Sequence, residues 1–491
     1  MFWFGFSVPY AKVVVTRVLL FSVLALDALL QIRHAPRYGA GGFNVAQLPG
    51  LDHLGPSRVG FGASELALAA CFAFATLGVA TRAALAIAAA LYAWLYFGSQ
   101  VDSYQHHYLV VLVLAIASFV PWQRPANATA ATPIRSWALR LILVQLALLY
   151  LWAAISKLDG AWLDGRTLAL QLGSASGTPV ERLPAISRIV EHTVGWATAA
   201  KLVLVSEVAL AATIWHRRSW WLAAPLGVAF HIGIAMTSLE IGLFAYIMIA
   251  AYALVIPDRV YLAAAPLVSR VGAPAGAAIA RAVSRVPRGW PTAGVALVAA
   301  LALGFACRLE DAGAIALVVA VVALAIGSRR ARRGASPVPP ALALLAATTL
   351  WFAVDHLSTV TVDYYRLWGG SSRRLGDRDD AVRAYTRLVD LEPDSAESHL
   401  HLGRALLDRD DGDDATAGVA ELRLARAADP HDARPYVEEA RWLARHGHRA
   451  DALATARVGV AVDPHSKEAH AAIEALVSAG GDPAGPAGGD D

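Results

Sequence analysis

Cysteine is almost missing from this chain. Only Cys71 and Cys307 occur in 491 residues, both inside apolar stretches, so they supply neither a disulfide framework nor a thiolate metal site. Charge is scarce too: Asp, Glu, Lys and Arg make up 16% of the residues against 57% hydrophobic ones, and the mean hydropathy is +0.48. Most of the chain therefore has too little polar surface to face water, which excludes an ordinary soluble protein and points to a polytopic membrane protein. A formal net charge of +3, with no basic stripe carrying interleaved aromatics, excludes nucleic acid as an expected partner. No set of ligands stands at metal spacing. The opening run, residues 1–31, lacks a small-residue cleavage site after its apolar part and reads as a retained first helix.

What charge there is collects late. About the last 125 residues mix Arg, Asp, Glu and His densely, whereas the earlier chain is mainly Ala, Leu and Val, so lipid comes first and water afterwards. Apolar stretches long enough to span a bilayer fall near 11–32, 61–80, 83–99, 106–122, 134–156, 197–215, 220–238, 240–257, 292–307, 311–327 and 339–357, about eleven in all. Arginines gather at Arg82, at Arg124, Arg135 and Arg140, at Arg217 and Arg218, across Arg259 to Arg288, and at Arg329 to Arg333, each cluster after an even-numbered span. The positive-inside rule then places the N-terminus in the cytoplasm and the tail on the outer face. Arg33, Arg37 and Arg58 break that pattern. The expected domains are a membrane domain over 1–257, a cytoplasmic linker over 258–290 rich in Ala, Pro, Gly and Arg, further membrane helices over 291–358, a repeat domain over 361–479 and a disordered tail over 480–491. The fold class is all-α: a polytopic helical membrane protein followed by a soluble α-solenoid.

The repeats show in the tail. The terminator segments LEPDS, ADPHD and VDPHS place Pro393, Pro430 and Pro464 at spacings of 37 and 34, and a period near 34 belongs to tetratricopeptide helix pairs. Gly369, Gly376, Ala381 and Tyr385 of the first unit align with Ala440, Gly447, Ala452 and Ala456 of the third, while the middle unit keeps Leu402 and Gly403 and carries an acidic insertion at 408–414. Small residues at these positions let paired helices approach closely. Such repeats hold extended peptides or partner proteins, which makes a peptide or protein, besides the bilayer, the expected partner.

Ionisable residues inside the spans are the candidates for chemistry, because each is costly there. Arg17, Asp27, Glu65 and Glu207 are open to a structural reading in which they pair across the bundle; Asp355 and His356 end the last span, where exposure is expected. Lys157 closes an apolar helix and is followed by Leu158-Asp159-Gly160, Trp162, Gly165 and Arg166. A snorkelling lysine with an interfacial tryptophan explains part of this. An amine lowered into apolar surroundings also loses its preference for the charged form and can serve as a base. His106 and His107 open the fourth span beside Gln105 and Tyr108, and His231 lies within the seventh as Phe230-His231, followed by Ile241-Gly242-Leu243-Phe244-Ala245-Tyr246-Ile247-Met248.

Taken in order, His106 before Tyr108-Leu109, Lys157-Leu158-Asp159 with Trp162 and Gly165, and Phe230-His231 with the Ile-Gly-x-Phe-x-Tyr-x-Met run resemble the membrane domain of vitamin K-dependent gamma-glutamyl carboxylase and its bacterial relatives, the HTTM (horizontally transferred transmembrane) proteins. The resemblance covers roughly 10–257. It implies that Lys157 is the base that deprotonates a reduced naphthoquinone, a vitamin K or menaquinone-like quinol, which reacts with O2 and supplies the strong base for carboxylating a glutamate side chain with CO2. It further implies catalytic parts for His106 and His231, and contact with the quinol by Gln105, His106, Tyr108, Trp162 and His231. Gln105 stands where the carboxylase has asparagine, Ser156 where the animal enzyme has a further lysine, and repeats occupy the place of the propeptide-gripping region. Residence in a bacterial inner membrane follows from the same resemblance. A reading of another class also fits: a non-catalytic membrane anchor that positions the repeats for assembly of an envelope complex.

Overall fold

The computed structural model describes residues 3–38, 45–101, 105–123, 128–172, 190–236, 242–264, 266, 308–315, 318, 321, 333 and 338–478, the side chains of 105 and 338–346 excepted. The expected span at 292–307 and most of the expected linker, residues 265 and 267–290, lie outside these residues. The chain divides into two compact units, one of residues 1–32 and 44–358, the other of 33–43 and 359–491.

The first unit is a helical bundle. Its helices are α1 (Tyr10–Gln31), α2 (Arg58–Leu77), α3 (Thr81–Phe97), α4 (Gln105–Ala117), α5 (Trp137–Ile155), the short α6 (Gly160–Leu163) and α7 (Arg166–Leu172), α8 (Trp196–Thr213), α9 (Trp220–Ala235), α10 (Phe244–Ala251), α11 (Asp258–Ala264) and α12 (Val338–Leu357). Four described helical runs are long and apolar enough to cross a membrane: Tyr10–Tyr38, Arg58–Leu77, Trp137–Ile155 and Trp196–Thr213. α10 with its 3-10 extension to Leu254, together with α11, adds a fifth if a pair bent by 86° counts as one span, and α3 and α4 are shorter apolar helices. The helices start and stop where local chemistry says they should. Ser57 and Ser136 accept hydrogen bonds from the backbone N–H groups of Gly60 and Leu139, capping α2 and α5. Gly78 ends α2 at φ +76°, a left-handed turn pressed against the Arg17 guanidinium, where any Cβ would collide.

α1 packs on α2 and α10, α2 on α3, α3 on α4, α4 on α5, α5 on α8, and α9 on α10. Two three-residue strands, β1 (Ser7–Pro9) and β2 (Pro133–Arg135), pair antiparallel and tie the start of α1 to the start of α5, with Ser7 opposite Arg135. The first residues of the expected linker behave differently from the expectation. Residues 258–264 form α11, because Asp258 pairs with the fully buried Lys12 at 2.7 Å and the buried Tyr261 hydroxyl donates to the Ala253 carbonyl at 2.7 Å. Asp355 also departs from expectation: it is 1% exposed and paired with Arg308 at 3.1 Å, while His356 does face outward. Among the described residues Arg17 meets no acid in the expected cross-bundle manner; it donates to the Trp122 carbonyl at 3.0 Å.

The second unit is a helical hairpin stack: α13 (Val360–Leu375), α14 (Arg378–Leu391), α15 (Ala396–Arg409), α16 (Asp414–Ala428), α17 (Arg434–Arg445), α18 (Arg449–Val462) and α19 (Lys467–Ser478). Each helix pairs with the next, as the proline spacing predicts. The small residues sit at the close approaches. A Cβ on Gly369 would lie 2.5 Å from the Tyr385 ring, and one on Gly403 would lie 2.9 Å from both the Gly418 carbonyl and Leu422. The acidic insertion of the middle unit is a clamp. Asp408 receives Arg373 and Arg445, Asp410 turns the end of α15 at φ +55° and receives the Trp442 indole and His446, and Asp414 receives Arg409. Arg33, one of the residues that broke the loop-charge pattern, pairs with Asp363 in this unit at 3.3 Å.

Candidate functional site

Lys157 stands where α5 stops. Its ammonium reaches back one turn to the Ala153 carbonyl at 3.1 Å and across to Glu207 Oε1 of α8 at 2.9 Å, with the Trp162 ring centre 5.1 Å away. The turn that follows is rigid for local reasons. Asp159 caps α6 by accepting from the Trp162 N–H at 2.7 Å, and Gly165 takes φ +83° at a point where a Cβ would lie 2.4 Å from the backbone of Trp196 and Ala197. Glycine at 165 is thus what lets the turn lie directly on the start of α8. Trp162 is fastened there by its indole N–H, which donates to the Ala200 carbonyl at 3.2 Å, inside a small core with Leu168 and Ala200. The Lys157 side chain is 20% exposed and that of Glu207 only 6%. Glu207 Oε2 is buried and has no hydrogen-bond partner, so one acceptor stays open beside the amine. Transfer of a single proton interconverts an ammonium–carboxylate and an amine–acid pair at this contact.

Two turns earlier on the same helix, Tyr150 joins a second group of polar side chains. The Tyr252 hydroxyl donates to the Tyr150 oxygen at 2.9 Å, and Tyr150 in turn donates to His231 Nε2 at 2.5 Å. A histidine that accepts at Nε2 carries its proton on Nδ1. That nitrogen is buried without a hydrogen-bond partner. Gly227 makes the arrangement possible, since a Cβ there would fall 1.9 Å from Tyr252 Cζ.

The third motif reaches the same place through an aromatic ring. Phe244, the first residue of α10, has its ring centre 5.1 Å from that of His106 and 6.1 Å from that of His231. His106 also lies 4.3 Å from the His107 ring, and His107 Nδ1 is hydrogen-bonded to the Tyr92 hydroxyl at 2.7 Å. So α4, α10, α9 and α5 bring His106, Phe244, His231 and Tyr150 into one chain of contacts, and α5 carries on from Tyr150 to Lys157. At 1.5 Å per residue those seven residues span about 10 Å and bring the side chains back to the same face. Tyr108 does not join them. It is 44% exposed, and its ring meets Tyr96 at a tilt and Phe97 edge to face. Gln105 lies in α4, with its side chain outside the described residues.

Glu207 was visible in the sequence only as a buried acid of unknown partner, and Tyr150 and Tyr252 carried no role. Tyr150 did lie two turns before Lys157, a spacing that marks one helix face. Among the described residues no three His, Cys, Asp or Glu side chains cluster as a metal site.

Residues 7–258, 252 of the 491, match the family model of the HTTM domain. The chain belongs to the HTTM family. A tetratricopeptide-repeat model matches residues 373–431, which run from the end of α13 to just beyond α16. No curated protein matches the chain. This HTTM protein is therefore a membrane protein related to the gamma-carboxylase family, with a helical repeat unit of the kind that binds other proteins.

Proposed function

We propose that this HTTM protein is a quinol-dependent gamma-carboxylase-like enzyme of the bacterial inner membrane, acting on a peptide or protein held by its repeats. The observation that carries the reading is the convergence of the three motifs: His106 and His231 flank Phe244, and Tyr150 connects His231 to the helix that ends in Lys157. The groups present suit a flat, oxygen-bearing ring. Phe244 and Trp162 offer faces, while His231 Nδ1 and Glu207 Oε2 are buried polar atoms still able to bond. A reduced naphthoquinone with O2 supplies, when bound, the strong base that removal of a glutamate γ proton requires. The chain's own residues do the rest: Lys157 takes up and holds a proton at Nζ, Glu207 orients that amine and shares the proton, and His106 and His231 orient and stabilise an oxyanion. The full complement of about eleven spans, the cytoplasmic N-terminus and the outward repeats belong to this proposal, since an outer-face substrate then meets an outer-face site.

A second reading rests on the same ion pair. Lys157 is already engaged by Glu207, the Ala153 carbonyl and the Trp162 ring, as a purely structural lysine of a membrane scaffold would be. Purification in mild detergent followed by mass spectrometry of the extracted lipids separates the two. The enzyme reading expects a naphthoquinone to co-purify, and to do so less after His231→Ala. A protein that retains none and is indifferent to the substitution is the scaffold.

A further inference from the structure

At the opposite end of α5 and α8 from Lys157, the bundle gathers positive charge around an apolar groove. Residues 3–15, 128–145, 210–225 and 252–264 hold Lys12, Arg135, Arg140, Arg217, Arg218 and Arg259 against a single carboxylate, Asp258. These segments are physically joined: β1 pairs with β2, Arg217 donates to the Ser7 carbonyl at 3.0 Å, and both Lys12 and Arg217 share Asp258. Arginines that serve only to orient a helix reach into water. Arg140 is instead 8% exposed, with its guanidinium 5.2 Å from the Phe6 ring centre and 5.8 Å from that of Trp215. Arg217 lies 5.9 Å from the same Phe6 ring, so the two guanidiniums flank it.

Trp215 is also a wall of a cavity of about 490 Å³, which runs between Val144, Ala147 and Leu151 of α5 and Val208 and Ala211 of α8. Every lining side chain is apolar. Arg140 precedes Val144 by one helical turn and so stands at the groove's mouth. Leu151 and Val208 lie on its rim and face outward, 43% and 51% exposed. The volume falls within the range of small-molecule sites. A purely apolar slot with cations at one end matches one kind of amphiphile.

We propose that this groove seats an acyl chain of an anionic phospholipid, with its phosphate held between Arg140 and Arg217. Basic pockets between membrane helices select anionic head groups, and the local excess of cations sets the sign of the head group here. The lipid ties β1, α5 and α8 together at the end away from Lys157, independently of any reaction.

The test uses the full-length protein in mild detergent, titrated with dioleoyl phosphatidylglycerol, dioleoyl phosphatidylcholine or inorganic phosphate and followed by native mass spectrometry. Phosphatidylglycerol is expected to bind at least about tenfold more tightly than phosphatidylcholine. Arg140→Gln removes that preference, Ala211→Leu fills the groove and weakens phosphatidylglycerol about tenfold, and Arg218→Gln, at an exposed position, changes neither. Equal binding of the two lipids overturns the proposal, as does an Ala211→Leu protein that binds like the wild type. A loss in Arg218→Gln as large as in Arg140→Gln reduces the effect to surface charge and overturns it too. Displacement of the lipid by millimolar phosphate makes the site one for free phosphate and rejects the lipid. Should Arg140→Gln fail to fold by circular dichroism, the groove variant and the lipid comparison on the wild type still decide.

Discussion

Among the ion pairs that join neighbouring helices in the described residues, Arg409–Asp414 and Lys157–Glu207 are built to different rules. In the repeats, Arg409 at the end of α15 grips Asp414 at the start of α16 with two parallel bonds of 2.7 and 2.8 Å, the Asp411 N–H adds a third at 3.1 Å, and Asp379 takes the remaining guanidinium edge. Both oxygens of that carboxylate are satisfied. In the membrane unit, Lys157 meets Glu207 through one oxygen, and the other is buried without a hydrogen bond. A pair with every valence filled is a fastening. One that keeps an open acceptor beside a transferable proton is suited to chemistry, which is why the second pair, and not the first, carries the proposed function.

The largest effects are expected at the glycines whose backbones bring each site together. Gly227→Ala places a Cβ 1.9 Å from the Tyr252 ring. It should cost about 3 kcal/mol or more and break the Tyr252–Tyr150–His231 chain, seen as a large fall in melting temperature in detergent. Gly403→Ala, whose Cβ meets its neighbours at 2.9 Å, should cost about 1–2 kcal/mol within the repeats. Equal effects would mean that the two units tolerate crowding alike.

The pairs themselves come next. Glu207→Gln leaves the Lys157 ammonium facing an amide in largely buried surroundings and is expected to destabilise by about 3 kcal/mol, with recovery in a Lys157→Met/Glu207→Leu double variant. Asp414→Asn should cost about 1 kcal/mol, because its partner is 28% exposed and other acids stand near it. A thermal double-mutant cycle on each pair measures the difference, and a larger coupling in the repeats would reverse the ranking.

The smallest expected effect is the pH response, which belongs to the repeats. The Arg409 hydrogen bonds hold the Asp414 carboxyl below its usual 3.8. Its contribution is therefore complete above that value and is lost as the pH falls through the lowered folded value. His446 is shifted upward, first by its hydrogen bond to the Trp442 carbonyl and then by Asp410. That contribution is present below 6.5 and lost as the pH rises through the raised folded value. Chemical melts of the protein from pH 3 to pH 8, read by a probe at Trp442, should show both edges; a flat profile would remove these two groups from the account.

How much of this was legible follows from range. The helix pairs of the tail were readable because Pro393, Pro430, Pro464 and the small residues recur at a fixed local period, and Gly369 and Gly403 do sit where helices touch. The Lys157–Trp162 contact was readable because five residues separate the two. Glu207 is 50 residues from Lys157, His231 is 81 from Tyr150, and Tyr252 is 102 from Tyr150. No periodicity encodes such distances; packing of α5 against α8 and of α9 against α10 creates them. The acidic stretch 408–414 read as an insertion because its partners, Arg373, Arg445 and His446, lie on other repeats. Residues 258–264 read as linker because their tie to the bundle, through Asp258 to Lys12, spans almost the whole of the family-matched segment 7–258.

The central claim is that Lys157 belongs to a reacting site. It is tested most directly by adding reduced menaquinone or vitamin K to the purified protein without oxygen, then admitting oxygen and analysing the quinone. The account predicts quinone epoxide from the wild type and at least a hundredfold less, about the smallest loss expected of a missing general base, from a Lys157→Ala protein that keeps its helical circular dichroism. Epoxide formation that survives intact in Lys157→Ala, or its absence from the wild type, would contradict it.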